Sequence, residues 1–244
     1  MNSFSRTVRD YLSLAKPRIN ALVLVTTFIG AWLASKGTVG YGLLLKILAG
    51  TGLTVAGASA FNCYMEADID AKMERTKDRP LPSSRLPERN ALIFASLTGA
   101  TGILMLLLTV NPLSSLLALI ALVSYTPIYT YLKGVTSLST LVGAIPGAIP
   151  PMIGWAGVTG TVELPAVLLF LIMFVWQPPH FLALALLRKK EYDAAGLVML
   201  PNEIDDAAAV RQIVIYSAVL LPLSLVPVEI GMAGSFYFGV ATVL

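Results

Sequence analysis

A chain of 244 residues with 56% hydrophobic and only 13% charged residues, at a mean hydropathy of +0.77, cannot hide its apolar side chains in one soluble core. These proportions exclude a disordered chain and a fibrous repeat, and the single Cys63 excludes an internal disulfide scaffold. The net charge of +3 says less than the placement of the charges.

In chain order, apolar runs cover 19–35, 41–65, 90–110, 113–132, 138–158, 164–187 and 209–230, and an eighth begins near 232. Each complete run is long enough for a helix to cross roughly 30 Å of hydrocarbon. None alternates with a period of two, so helices rather than a closed barrel must satisfy the backbone in lipid. The sequence therefore predicts an all-α, polytopic transmembrane helix bundle over 1–244, a single domain of seven complete helices and a truncated eighth. Lys16-Pro17-Arg18, at the membrane edge of the first run, marks it as a retained helix rather than a cleaved signal peptide. With the N-terminus cytoplasmic, 15 of the 17 Lys and Arg residues fall inside, and only Lys36 and Lys46 flank an outside turn. The two long polar stretches, 66–89 and 188–211, are then both inside, so chemistry is expected at the cytoplasmic face of the membrane.

The first polar stretch is the richest. Asn62, Glu66 and Asp70 recur at i, i+4 and i+8, which lines them along one face of the inner end of the second helix. Three oxygen-bearing side chains suit a hard cation such as Mg2+, which takes few carboxylates together with substrate phosphates. Arg75, Lys77 and Arg79 follow, donors matched to phosphate oxygens. The competing reading is a solvated loop whose six acids and six bases pair among themselves. Against it, the acids begin inside the apolar run, where an uncompensated charge is expensive. Asp68 points away from Glu66 on an ideal helix and is the least suitable ligand.

At these residues the chain resembles the intramembrane (UbiA-type) prenyltransferases, and within them the protohaem IX farnesyltransferase (haem O synthase) family. The hallmark N-x-x-x-D/E-x-x-x-D is matched by Asn62, Glu66 and Asp70, and Arg75-Thr76-x-x-Arg79-Pro80 continues it. Further matches are Lys16-Pro17-Arg18-Ile19, Tyr125-Thr126-Pro127 with Lys133, Gly147-Ala148-Ile149-Pro150-Pro151-Met152-Ile153-Gly154-Trp155, and Pro178-Pro179-His180-Phe181 leading to Tyr192-x-x-Ala195-Gly196-x-x-Met199-Leu200-Pro201. The resemblance spans essentially the whole chain. It departs at Ser139-Thr140, where many members carry Asn, and members are longer, with nine helices, so Leu244 is expected to be a truncation point.

The resemblance implies that farnesyl diphosphate and protohaem IX (haem B, a substrate rather than a cofactor) react with water to give haem O and diphosphate. It implies Mg2+ on Asn62, Glu66 and Asp70, with Asp193 of a sparse second acidic motif as a further ligand. Arg75 and Arg79 would stabilise the leaving charge, and Lys133, His180, Lys189, Lys190, Tyr192 and Asp193 would contact substrate. His180 has two readings: a packing residue, or an imidazole placed for haem iron. Lys189 and Lys190 suit diphosphate or a haem propionate, or merely obey the positive-inside rule, and Lys133 shares that ambiguity. Glu203, Asp205 and Asp206 read as the start of the seventh helix. The resemblance also implies a bacterial plasma (inner) membrane, and the expected partners are the two substrates, the lipid bilayer and a downstream haem O-modifying enzyme, with no nucleic acid. The rivals are a prenyltransferase of the same type acting on a quinone or other aromatic precursor, and a transporter with Pro- and Gly-broken helices lining its path. The transporter reading lacks any acid or base at mid-membrane.

Overall fold

The computed structural model describes residues 3–243, and the described residues are helical with no strand. Among the described residues, seven helices are long and apolar enough to cross a membrane: α2 (Pro17–Ala34), α3 (Tyr41–Met65), α5 (Glu88–Thr109), α6 (Pro112–Leu132), α7 (Ser139–Thr159), α8 (Leu164–Leu187) and α11 (Asp206–Glu229). Short helices decorate one end of the bundle: α1 (Ser3–Leu14), α4 (Ala67–Asp70), α9 (Lys189–Ala194) and α10 (Leu200–Glu203). The eighth apolar run forms the short helix α12 (Ser235–Val243).

Helix ends follow the residues that can hold them. Pro17 and Pro112 open α2 and α6, where a missing N–H costs nothing. Asn111 and Asp205 cap α6 and α11, accepting the backbone N–H of Ser114 at 2.9 Å and of Ala208 at 2.6 Å. Gly160, with φ of 73°, closes α7 in the left-handed region that glycine enters without strain.

The bundle is held by small residues where backbones touch. α3 packs on α5, and a Cβ on Gly57 would lie 2.5 Å from the backbone nitrogen of Gly99. α2 packs on α7, where Gly154 lies directly against the Thr27 carbonyl. Such approaches give van der Waals contact that lipid cannot drive hydrophobically. α11 packs chiefly on α8 and leaves most of its surface exposed.

Two irregularities shape the interior. α6 loosens into a π-helical turn over Ser124–Tyr129, around Pro127, which cannot supply a backbone N–H. α7 is interrupted between Ala148 and Pro150 for the same reason. At the end bearing the short helices the polar connections are tied together. Met73, from the first long connection, packs with Ala185, Ala195, Leu197 and Met199, and the Val198 N–H donates to the Lys133 carbonyl at 3.1 Å. The sequence suggests only a polar segment before the first span, yet it folds as α1. There Leu14 and Asp10 are buried, while Arg6 and Arg9 remain exposed.

Candidate active site

The site is built where α3 ends. Asn62 lies in its last turn, Glu66 in the break after it and Asp70 at the end of α4. The chain bends at Glu66 (φ −97°, ψ 8°), but the Asp70 N–H still donates to the Glu66 carbonyl at 2.7 Å. The i, i+4, i+8 register therefore survives the break, and all three side chains line one polar cavity of about 140 Å3. They are 2%, 5% and 1% exposed, while Asp68 faces outward.

Each of the three is met by a cation from elsewhere. Lys16 Nζ donates to Asn62 Oδ1 at 2.6 Å, Lys133 Nζ to Glu66 Oε1 at 3.1 Å, and Arg79 Nη1 to Asp70 Oδ2 at 2.6 Å. Asn62 is further fixed by donating its Nδ2 to Thr130 Oγ1 at 3.1 Å, and Thr130 Oγ1 in turn donates at 3.0 Å to the Tyr125 carbonyl, which the π-helical turn also pairs with the Thr130 backbone N–H. The loop carrying Arg79 is pinned by buried Thr76, whose hydroxyl donates to the Asp70 carbonyl at 2.8 Å. Burial works against the Lys133 ammonium, but Tyr129 and Glu66 beside it outweigh this and hold its pKa above the ordinary lysine range. Pairing of this kind is what lets buried carboxylates remain charged.

Lys16 carries a second signature. It is a non-glycine residue with φ of 46°, a left-handed conformation at the junction of α1 and α2 that costs free energy unless its surroundings hold it. The sequence motif contains Lys16, but nothing in it announces contact with a residue 46 positions away.

A deeper cavity of about 260 Å3 is apolar, lined by Ile19, Val55, Leu122, Pro146 and Phe181 among others. Tyr125 and Tyr129 line both cavities and stack on each other at 5.6 Å between ring centres. The arrangement is a charged, donor-rich chamber and a greasy one that share two aromatic rings in their walls.

The other expected residues divide. Tyr192 lines the polar cavity, and Arg75 lines it while also facing an open cleft with Lys190. Asp193, expected as a metal ligand, is not brought there. It is exposed, one step around α9 from the inward Tyr192, and accepts only a long contact from Asn202 at 3.4 Å. Lys189 is paired with Asp206 at 2.6 Å on the exposed side of α9. His180 is also outside: Gln177 and Phe181 form the α8 stripe that lines the apolar cavity, while Trp176 and His180 form the neighbouring, exposed stripe and stack at 4.9 Å. The imidazole therefore faces away from the site.

Among the described residues, no three His, Cys, Asp or Glu side chains stand close enough to share a metal. The donor set at the polar cavity is instead one amide and two carboxylates. That set fits Mg2+, which prefers oxygen and completes its shell with water and substrate phosphate.

A model described as the UbiA prenyltransferase family matches residues 23–244. A Myxococcus xanthus protein named protoheme IX farnesyltransferase is 44% identical over 242 residues, covering 99% of this chain and 82% of its own. The protein of that name from Symbiobacterium thermophilum is 43% identical, covering 98% of this chain and 80% of its own. Among solved structures, a digeranylgeranylglyceryl phosphate synthase superposes with a TM-score of 0.82 at 17% identity, covering 98% of this chain and 83% of that one. A UbiA homolog from Archaeoglobus fulgidus, bound to DMAPP and Mg2+, superposes at 0.75 and 15% identity, covering 96% of this chain and 82% of that one.

Proposed function

The chain belongs to the UbiA prenyltransferase family, and we propose that it transfers the farnesyl group of farnesyl diphosphate to a vinyl group of protohaem IX. Water adds in the same reaction, and the products are haem O and diphosphate. The observation that carries this reading is the pair of cavities that share Tyr125 and Tyr129: a polar one with carboxylates and cations for the diphosphate head, and an apolar one for an isoprenoid tail. The name carried by relatives identical at more than two residues in five supports the acceptor.

Asn62, Glu66 and Asp70 would hold Mg2+, which supplies neutralisation of the diphosphate charge. Arg79 and Lys133, released from the carboxylates they hold, donate to the phosphate oxygens, with Arg75 at the rim. The bond between the allylic carbon and the diphosphate oxygen breaks, and the electron pair leaves with diphosphate. Tyr125 and Tyr129, at the junction of the cavities, present ring faces to the allylic cation. The haem vinyl group supplies the electrons of the new carbon–carbon bond. Water then captures the cation left beside the porphyrin ring and loses a proton. The chain's own contribution is orientation, charge matching and exclusion of water until that last step.

We infer that the polar end of the bundle is cytoplasmic, because 15 of the 17 basic residues fall on that side of the spans. The direct test mixes purified chain, protohaem IX, farnesyl diphosphate and Mg2+, and weighs the products. The expected product is a porphyrin heavier by one farnesyl group and one hydroxyl, absent when a chelator is added. Modification of a quinone precursor, with protohaem IX left untouched, would overturn the acceptor.

A further inference from the structure

Beside the polar cavity lies an open cleft of about 620 Å3 in which Lys72, Arg75, Arg188 and Lys190 converge from two connections distant in sequence. The two acids in its wall are already engaged: Glu74 with Lys77 at 2.5 Å and Glu191 with Arg188 at 3.1 Å. Lys72, Arg75 and Lys190 form no ion pair among the described residues. Three uncompensated cations sharing one concavity repel one another and raise the local concentration of any anion that fits.

The cleft is continuous with the chemistry. Arg75 lines both the cleft and the polar cavity. On α9, Lys190 and Ala194 face the cleft, while Tyr192 lines the polar cavity and a side cavity bounded by Phe181 and Leu184. One short helix thus presents ammonium to the outside and a phenol to the reacting chamber. A diphosphate does not need the cleft, because Lys16, Arg79 and Lys133 already meet that charge in the inner cavity. The acceptor does need it. Protohaem IX is an amphiphilic disc with two propionate carboxylates on one edge and its vinyl groups on the opposite one. Its carboxylates are cheapest to bind where they stay partly hydrated, and its vinyl edge must reach the allylic carbon.

We propose that the cleft holds the propionates of the acceptor porphyrin through Lys72 and Lys190, with Arg75 standing between them and the diphosphate, so that the vinyl edge enters past Tyr192. The inference rests on the function proposed above and assigns which end of the acceptor is read. Lys189, paired with Asp206, takes no part.

The test is steady-state kinetics on the full chain in detergent, with protohaem IX and its dimethyl ester as alternative acceptors. The double variant K72Q/K190Q should raise KM for protohaem IX about tenfold, with KM for farnesyl diphosphate within about twofold of wild type. The second value doubles as the folding control. The dimethyl ester should show a raised KM with the wild-type chain and gain no further penalty in the variant, because the two changes remove the same contact. A dimethyl ester used as well as protohaem IX would overturn the proposal. So would a parallel rise in KM for farnesyl diphosphate, which would give the cleft to the diphosphate. If the wild-type chain farnesylates neither porphyrin, the proposed function falls and takes this inference with it.

Discussion

At the scale of single residues, the site is a set of exchanges between acids and bases. Asp70→Ala or Asn62→Ala should abolish product formation while the protein still purifies folded. Each would remove one of the proposed metal contacts, and the Arg79 left behind is partly exposed and can be hydrated. Wild-type-like turnover in both variants would remove these residues from the metal site. Lys133 is more deeply enclosed than Arg79, so Lys133→Met should strand the buried Glu66 carboxylate at a cost of about 3 kcal/mol. Adding Glu66→Gln should restore most of that stability but no activity, as read by thermal unfolding alongside the product assay.

The residue spacing made Asn62, Glu66 and Asp70 legible because all three ride one helical stripe, and that stripe outlives the end of α3. Lys16 and Thr130 were not legible as site residues, since each reaches Asn62 only after distant helices pack. Asp193 was expected at the site from the family resemblance, and His180 from its chemistry. Their helical phase decided otherwise, and a lone polar residue in sequence carries no phase.

At the scale of elements, all seven spanning helices lie within a few residues of the apolar runs, because hydropathy and length fix them. What hydropathy misses is irregular: the amphipathic α1, the π-helical turn of α6 and the break in α7. The turn matters most, because it brings the Tyr125 carbonyl to both the backbone N–H and the hydroxyl of Thr130 and carries the two tyrosines that line both cavities. Helix contacts can be tested at glycines. Gly57→Leu would drive a side chain into the backbone of Gly99, and should destabilise the fold by about 2 kcal/mol or more. Gly42→Leu, with nothing within 4 Å of the added Cβ, should leave the unfolding temperature unchanged. Equal effects of the two substitutions would argue against this α3–α5 packing.

At the scale of the whole molecule, the chain is a bundle with one chemically active end. In a Cys63→Ala background, a cysteine introduced by Ser84→Cys in the first long connection should react with an impermeant thiol reagent only from the cytoplasmic side. Labelling from the opposite side alone would invert the proposed orientation. A chelator should stop turnover yet shift the unfolding temperature by no more than about 2 °C, and Mg2+ should restore activity. Separate recovery of fold and activity follows from the ion pairs of the resting site.

Those ion pairs bear on biogenesis as well. A carboxylate entering a bilayer unpaired is costly, and a site whose acids relied on metal for neutrality would be hard to insert or keep where metal is scarce. Here Lys133 and Arg79 act as internal counter-ions for Glu66 and Asp70. The chain can therefore be threaded into the membrane, folded and stored before any metal or diphosphate arrives. On the proposed mechanism, supply of cation and substrate then governs when the enzyme works, and leaves untouched whether it survives.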